Sequence, residues 1–324
     1  MAGYLSNQVK LQLGVQTVKG TGVAASKRLS FIEKRSVKPN YKKEELVSLG
    51  TLDKVSKVVP IRLEPSGNIE GVVTPEETFY LIYSMLGAVT PTNNSGKYSW
   101  VFTNPNDTDG IGFDYLTLYF VDGIGGGVNY KTVDSVVKSF EFKVTPDKAM
   151  RFAAEFVALS LVTASAGSMA AGTPNPVLPK NTKIYIDNAG ATPFTTEFVQ
   201  GGIELNLKYD SGITAEMYIG TSDIEVHAPD AELTLNVRWE SVAKAMLDAE
   251  IANGTSHKLI GFTSIDAVSG LGCRVWFAGQ ISALPELPED ASGVISAKYT
   301  FKPVIDTVNG GWLHVEFINT SATI

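Results

Sequence analysis

Most of the chain alternates apolar and polar side chains with a period of two, the pattern of a β-strand with one buried face. The clearest example is residues 203–207, where Ile203, Leu205 and Leu207 alternate with Glu204 and Asn206. Comparable runs predict strands at residues 58–73, 98–102, 113–121, 183–187, 198–209, 213–220, 271–279, 293–302 and 312–318. Two longer runs, 130–144 and 150–162, predict a hairpin that turns at residues 145–148. The pattern therefore indicates a mainly β protein.

Two further turns are predicted inside these runs. Residues 64–67, Glu-Pro-Ser-Gly, have the composition of a β-turn and divide residues 58–73 into two strands. Residues 210–212, Asp-Ser-Gly, predict the turn of a hairpin between residues 198–209 and 213–220.

Two short stretches show the helical period instead. Four apolar residues at i, i+3, i+4 and i+7, namely Phe79, Ile82, Tyr83 and Leu86, predict one apolar face of a short helix that begins at Pro75 and ends before Gly87. Thr74 is the expected N-cap, with Pro75 at the first helical position, and Gly87 is the expected stop. Residues 239–253, closed by Gly254, predict a second helix of the same kind.

The two predicted helices and the strands before them lie about 160 residues apart, which suggests an internal repeat. The same offset matches residues 99–102 with 259–262, 116–120 with 273–277, 140–143 with 299–302, and 154–156 with 315–317. We interpret this as a tandem duplication of one small β-rich domain. The alternative is one elaborated domain with chance similarity between its strands.

This interpretation divides the chain into four segments. Residues 1–57 form an extended N-terminal arm with one or two hairpin strands, and residues 58–163 form the first β domain. A linker rich in proline, residues 164–179, precedes the second β domain, residues 180–324. The predicted fold class is two tandem β-sandwiches or half-barrels, each flanked by a short α-helix.

Charge is distributed unevenly along the chain. The net charge is −7, yet residues 1–60 contain eleven lysines and arginines against four acids, so they carry +7 and the remainder carries −14. A basic arm on an acidic body could dock onto the body of a neighbouring copy. The alternative is a solvated loop without a partner. Basic candidates for contacts between subunits are Lys27, Arg28, Lys34, Arg35, Lys38, Lys42 and Lys43.

The sequence offers no convincing catalytic, metal or cofactor site. His227, His257 and His314 are not spaced as zinc ligands. The glycine-rich residues 123–127 precede a predicted strand, so no helix N-terminus is available to hold a phosphate. Residues 107–110 resemble part of a calcium loop, but Pro105 and Leu116 occupy positions where an EF-hand needs acids. We therefore expect neither enzymatic activity nor a cofactor.

The remaining composition is that of a soluble chain. The single cysteine, Cys273, excludes an intrachain disulfide and is expected to be a small core residue. Trp100, Trp239, Trp276 and Trp312 are expected to pack in the core. No stretch of about twenty apolar residues predicts a membrane span, and no signal peptide opens the chain.

Several stretches together resemble the major tail tube proteins of long-tailed bacteriophages. They are residues 18–24 (Val-Lys-Gly-Thr-Gly-Val-Ala), residues 66–71 leading to residues 81–87, the hairpin runs 133–144 and 150–162, and the C-terminal runs 298–304 and 311–319. The resemblance is one of pattern over most of the chain.

The resemblance implies a structural virion protein that assembles into stacked rings around a lumen through which the genomic DNA leaves. It further implies tail partners, namely a tape measure protein, a tail terminator and distal tail proteins, assembly in the host cytoplasm, and no membrane partner. Most members form hexameric rings from one domain, so a duplicated chain would give a trimer with pseudo-sixfold symmetry.

Two other classes of function remain open at this point. A two-domain β-sandwich adhesin or carbohydrate-binding module would use the loops at residues 90–96 or 103–112. An esterase or glycosidase is the third class, although no sequence motif supports it.

Overall fold

A computed structural model of the chain describes residues 9–46, 57–104, 112–122, 129–165, 169–170, 172–188, 190–198, 202–218, 221–238, 244–246, 248, 257–283 and 296–324. Within them the protein is mainly β, as predicted. Seventeen strands belong to one sheet and two form a separate hairpin, and their pairings are antiparallel.

The first half of the chain contains ten strands and a helix: β1 Val9–Val15, β2 Lys27–Leu29, β3 Ile32–Arg35, β4 Lys38–Leu46, β5 Lys57–Val72, α1 Phe79–Leu86, β6 Thr92–Asn94, β7 Lys97–Asn104, β8 Leu116–Asp122, β9 Tyr130–Thr145 and β10 Lys148–Thr163. The predicted long hairpin is confirmed as β9 and β10.

A 3-10 turn, Pro179–Asn181, opens the second half. The strands that follow are β11 Thr182–Asn188, β12 Gly202–Asp210, β13 Ile213–Tyr218, β14 Thr221–Val226, β15 Asp230–Arg238, β16 His257–Ile265, β17 Gly272–Ala283, β18 Ser296–Pro303 and β19 Leu313–Asn319. Residues 244–246 and 248 are helical, and the rest of the predicted second helix lies outside the described residues.

The sheet folds into two layers around one core. The long layer has the strand order β4–β5–β10–β9–β12–β15–β18–β17, and β3 extends β4 along the same edge of β5. The short layer contains β2–β1–β8 and β11–β16, together with β19–β7–β6. Aromatic pairs join the layers: Phe120 stacks on Phe156 at 5.8 Å and Phe142 meets Phe262 edge-on at 6.0 Å.

Strand β9 belongs to both layers. One of its edges pairs with β10 along the whole strand, while its other edge pairs first with β8 and then with β12. The β9–β12 ladder joins the two halves of the chain, and the β7–β19 ladder joins them again in the short layer. Most of the buried apolar residues of both halves accordingly form one continuous core, and a smaller cluster lies around Val136.

The predicted turn at residues 64–67 is wrong, because β5 runs straight through them. Pro65 lies directly opposite Pro39 on β4, where a residue without a backbone N–H is tolerated. Gly67 serves close packing, since a Cβ there would collide with the backbone oxygen of Ser36 and lie 2.8 Å from the Phe156 ring.

The predicted start of α1 is also wrong. The helix begins at Phe79, and the residue before it, Thr78, makes no side-chain cap. Thr74 instead closes a preceding turn, in which Thr78 N donates to Thr74 O at 2.9 Å. All eight residues of α1 are buried, whereas the predicted helix would bury only one face. Packing on all sides, and not a side-chain cap, therefore sets where the helix begins. The stop at Gly87 is confirmed: φ is +83° and its N–H donates to Tyr83 O.

The predicted hairpin between β12 and residues 213–220 is wrong in its partner. The turn after Asp210 is present, with Gly212 N donating to the Asp210 carboxylate at 3.0 Å. However, β13 leaves the sheet and pairs with β14. Gly212 has φ +69°, a conformation that glycine adopts without steric cost and that redirects the chain here.

The same order of strand pairings occurs twice along the chain. In the first half β1 pairs with β8, β8 with β9, β9 with β10, β10 with β5 and β5 with β4. In the second half β11 pairs with β16, β16 with β17, β17 with β18, β18 with β15 and β15 with β12. Helical residues follow the strand that occupies the same place in both halves, β5 and β15.

Two β-bulges recur at matching places. Glu33 is the extra residue of β3 opposite Gly71 and Glu70, as Ile203 is the extra residue of β12 opposite Val237 and Asn236. Lys138 is the extra residue of β9 beside Phe156, as Ser282 is the extra residue of β17 beside Phe301. These bulges give a residue-level correspondence between the halves, since a bulge is a local feature with a fixed register.

This correspondence differs from the constant offset read from the sequence. The pairings match β8, β9 and β10 with β16, β17 and β18, whereas the offset matched β7, β8, β9 and β10 with β16, β17, β18 and β19. The offset fails after the helix because β6 and β7 have no counterpart there in the described second half.

The close approach at Gly67 gives a stability prediction. Replacing Gly67 with alanine should lower the free energy of unfolding by about 1–3 kcal/mol, the usual cost of an overpacked site. Gly112→Ala is the matched control, because its nearest neighbour would be 3.6 Å away. Urea unfolding of both variants measures the difference, and equal stability of the two would contradict the packing role.

Candidate functional site

The long layer has two free edges. No described strand pairs with the outer edge of β3 or β4. At the other end, Ile281 and Ala283 of β17 pair with β18 on one side, and no described strand pairs with their opposite side. A long unprotected strand edge is a site for pairing with another chain.

Beyond the part of β5 that pairs with β10, β4 and residues 57–65 of β5 form a two-stranded ribbon, which we call the ribbon, and no other described strand pairs with it. Every residue of β4 is exposed. Tyr41, 55% exposed, faces Leu63 across the ribbon, and Val58, 48% exposed, faces Glu45. Side chains alternate along β4, so these three apolar side chains share one face with Lys43 and Glu45. A two-stranded ribbon with exposed apolar side chains is marginal in water, so we expect a partner to cover this face.

In the second half, the segment between β12 and β15 is the β13–β14 hairpin, and its apolar side chains are covered. The hairpin packs Ile213 and Ile224 against Val136 of β9. Val157 and Leu159 of β10 border the same cluster. An ion pair between Lys19 Nζ and Asp223 Oδ1, 2.6 Å apart, holds the outside of the hairpin.

The outward face of the long layer is polar and of mixed charge. A row of directly opposed residues crosses six strands: Lys34, Glu70, Ala153, Glu141, Lys208 and Glu232. On the next strand, Lys302 Nζ lies 3.4 Å from the Glu232 carboxylate. Several cations on this face have carboxylate partners. Lys34 lies 2.6 Å from Glu70, Lys302 lies 3.3 Å from Asp230, and Arg151 pairs with Glu33.

The predicted basic contact residues lie on three strands. Lys27 and Arg28 are on β2, Lys34 and Arg35 on β3, and Lys38, Lys42 and Lys43 on β4. Four of them have partners within the chain, because Arg28 donates to Met169 O, Lys34 pairs with Glu70, Arg35 donates to Val121 O and Lys42 pairs with Glu64. Lys27, Lys38 and Lys43 are exposed, and the described part of the chain offers them no ion pair.

The N-terminal segment is more integrated than an arm. Leu11, Leu13 and Leu29 are core residues, and β1 to β4 all belong to the large sheet. Residues 1–57 therefore contribute strands to the large sheet and side chains to the core within their described part.

The buried ionisable groups make structural contacts inside the chain. The Glu77 carboxylate accepts hydrogen bonds from Ser30 N at 2.5 Å and Ser30 Oγ at 2.9 Å, and burial raises its pKa. Burial lowers the pKa of His314, which stacks on Trp276 at 4.0 Å. Burial raises the pKa of the Cys273 thiol, which makes it a poor nucleophile.

Sequence reasoning missed one of these features. The exposed apolar side chains of the ribbon escaped notice because Tyr41 is distant in sequence from Val58 and Leu63 and meets them only across the ladder. Trp100, Trp276, Trp312 and Cys273 are buried as predicted, and Trp239 lies outside the described residues. The predicted loop at 107–110 and the glycines at 123–127 also lie outside them.

Comparison with known proteins adds the family. No curated protein matches the sequence, and no helix in the described parts of the chain is long and apolar enough to cross a membrane. A family model described as phage tail tube protein matches residues 6–303, nearly the whole chain. The chain therefore belongs to the phage tail tube protein family and is a structural component of the phage tail.

Proposed function

We propose that the chain assembles with copies of itself into rings that stack to form the tail tube, through which the DNA is ejected. The observation that carries this is the pair of free edges on the long layer, β4 on one side and the end of β17 on the other. A closed ring of copies would pair every such edge, which removes the hazard of exposed strands.

The repeat of pairings indicates which strands would meet. Inside the chain, β9 of the first half pairs with β12 of the second, with Asp210 opposite Ser139. By the matching bulges, Asn40 corresponds to Asp210 and Ala283 corresponds to Ser139. We propose that β17 of one chain pairs with β4 of the next in the same way, with Ala283 opposite Asn40. This supports two tandem copies of one tube domain, residues 58–163 and 180–324, joined by residues 164–179.

The register inside the chain supports a barrel. Directly opposed residues lead across the sheet from Lys34 on β3 to Lys208 on β12, whereas the bulges make Glu204 the residue of β12 that corresponds to Lys34. The strand register therefore shifts by four residues, from 204 to 208, over each set of four strands. An equal number of strands and residues of shear gives a strand tilt of about 35°, within the range of β-barrels.

The width that the lumen needs favours a ring of three chains. With eight strands per chain, two chains would form a barrel about 30 Å across between backbones, and three chains one about 45 Å across. Inward side chains take about 5 Å from each wall. Two chains would leave roughly 20 Å, which is the width of a DNA duplex, whereas three leave roughly 35 Å. A trimer with pseudo-sixfold symmetry is the smallest ring that passes hydrated DNA.

The outward face of the long layer fits the wall of such a lumen. Phosphate contacts dominate the affinity of proteins for DNA, so a wall whose cations are engaged by carboxylates lets DNA slide. Lys34, Arg151 and Lys302 are engaged in this way.

The ribbon is the proposed contact between subunits. It occupies the place in the first half that the β13–β14 hairpin occupies in the second, and that hairpin packs on the neighbouring half. We propose that the ribbon packs its apolar face on the second half of the next chain, with Lys27, Lys38 and Lys43 directed at acidic partners. As a tail component assembled in the host cytoplasm, the tube would also meet a tape measure protein, a tail terminator and distal tail proteins.

Paired cysteines test the edge-to-edge contact and the number of chains together. Asn40→Cys combined with Ala283→Cys should give disulfide-linked chains under oxidation, because directly opposed residues of antiparallel strands lie within disulfide range. We expect a ladder of linked species that ends at three chains on a denaturing gel. Cys273 is buried and should not interfere.

The matched control is Asp210→Cys with Ser139→Cys, the corresponding pair within one chain, which should close without linking chains. Ladders that continue to six chains would refute the trimeric ring, and absence of any link between chains would refute the edge pairing.

Removing the apolar face of the ribbon should block assembly while leaving the fold intact. Tyr41→Ser with Val58→Ser should change the free energy of unfolding by no more than about 0.5 kcal/mol, as surface substitutions usually do. Pelleting and negative-stain imaging should show tubes only at higher protein concentration. Val101→Ser, at a residue 43% exposed in the short layer, is the control. Tubes of the double variant at the concentration of the unmodified protein would contradict the contact.

A further inference from the structure

The outward face of the long layer carries a groove in each half of the chain. The first groove has a volume of about 420 Å³, and its lining includes Glu64, Ser66 and Val157. The second groove has a volume of about 510 Å³, and its lining includes Asp230, Glu232 and Lys302. The grooves lie where β5 leaves β10 and where β15 leaves β18.

The two grooves correspond residue by residue. Phe156 lies beside the bulge of β9 and opposite Gly67. Phe301 lies beside the bulge of β17 and opposite Leu233. Counting along the strands from these positions gives the matched lining residues, which are Glu64 and Asp230, Ser66 and Glu232, and Val157 and Lys302.

The β13–β14 hairpin and the ribbon match pair by pair as well. Both ladders continue from matched pairs of the long layer, with the same number of residues in each strand. The opposed pairs that match are Ile213–Val226 with Lys43–Pro60 and Ala215–Ile224 with Glu45–Val58. Lys43 of the ribbon therefore corresponds to Ile213 of the hairpin.

The grooves differ in one wall. Residues 213–216 of the hairpin line the first groove, and Ile213 packs there against Val136. The first groove is thus completed by a segment of the half that follows it in the chain. The described residues that line the second groove supply no such wall. By the order of the repeat, the segment that would supply it is residues 43–46 in the next copy of the chain.

The residues that would meet in the second groove differ together from those in the first. In the first groove Ile213 is fully buried, and Val157 borders the same apolar cluster. At the two matching places the chain has Lys43 and Lys302. Lys43 is exposed, and the described part of the chain offers it no ion pair. An apolar contact in the first groove is therefore matched by charged residues in the second.

The second groove has a carboxylate to spare for Lys43. Lys302 Nζ lies 3.3 Å from the Asp230 carboxylate and 3.4 Å from the Glu232 carboxylate. Among the described residues it is the only cation within ion-pair distance of either one, so one ammonium serves two carboxylates. Two more lysines line the groove without pairing with these carboxylates, Lys138 and Lys208. A second ammonium at the place of Ile213 would balance the two carboxylates.

We infer that the second groove is a docking site for residues 43–46 of another copy of this chain, with the Lys43 ammonium bound between Asp230 and Glu232. The inference rests on the proposed ring and names a contact within it. The groove encloses part of this cluster, so the pair between copies is screened less than an exposed one and favours the correct partner.

Charge exchange across the groove tests this pair. Lys43→Glu should leave the urea midpoint of the unassembled chain unchanged, because Lys43 is exposed there. It should raise the protein concentration needed for tubes by about tenfold or more, since it places a third carboxylate beside Asp230 and Glu232. Adding Glu232→Lys should bring that concentration back to within about threefold of the value for the unmodified protein. Lys180→Glu, the same charge change at an exposed residue of the 3-10 turn, should leave it unaltered.

The outcomes separate the docking site from the ring. Tubes of Lys43→Glu at the concentration of the unmodified protein would overturn the inference and leave the proposed ring intact. Failure of Glu232→Lys to restore assembly would also overturn it, and Asp230→Lys takes its place if Glu232→Lys lowers the urea midpoint. A fall in the urea midpoint of Lys43→Glu would overturn it by showing that Lys43 stabilises the single chain. If the unmodified protein forms no rings or tubes, the proposed function fails and the inference fails with it.

Discussion

The backbone hydrogen bonds of β9 are the constraint on which the rest of the structure depends. Each N–H and C=O of a buried strand needs a partner, and β9 finds them on both edges: β10 on one, and β8 followed by β12 on the other. Sixteen residues therefore join the two layers and the two halves of the chain. The core can be continuous because this strand crosses from one layer to the other.

The bulge at Lys138 makes this crossing possible. An extra residue bends the strand and increases its local twist, so the part after the bulge can leave β8 and meet β12. The extra residue at Ser282 occupies the corresponding place on β17, after which that strand has no described partner on its outer side. The bulge that joins the two halves at β9 thus corresponds to a bulge on β17 that leaves a strand edge available for another chain. The tail tube family gives this arrangement its biological setting, since a tube must be built from contacts that repeat without end.

Burial and exposure divide the long layer sharply. Its inward face is apolar and aromatic, with Phe140 stacked on Phe152 at 5.5 Å, and its outward face holds polar residues and ion pairs. Such exposed ion pairs add little stability, so their arrangement is better explained by the surface they create than by the fold they support. The ribbon breaks the division, because Tyr41 and Val58 place apolar area in solvent.

The sequence by itself determined the secondary structure class, the long hairpin, the helix stop at Gly87 and the resemblance to the tail tube family, because period-two alternation and turn residues are local signals. It indicated a repeat with a constant offset, whereas the order of strand pairings recurs with a different offset after the helix. Only the tertiary structure showed the residue-level correspondence, since the bulges at Glu33, Lys138, Ile203 and Ser282 are defined by partners far away in sequence. Long-range packing also decided that Pro65 and Gly67 continue a strand. Local patterns report how a residue relates to its neighbours in the chain, whereas edges, corners and exposed faces depend on which strands meet.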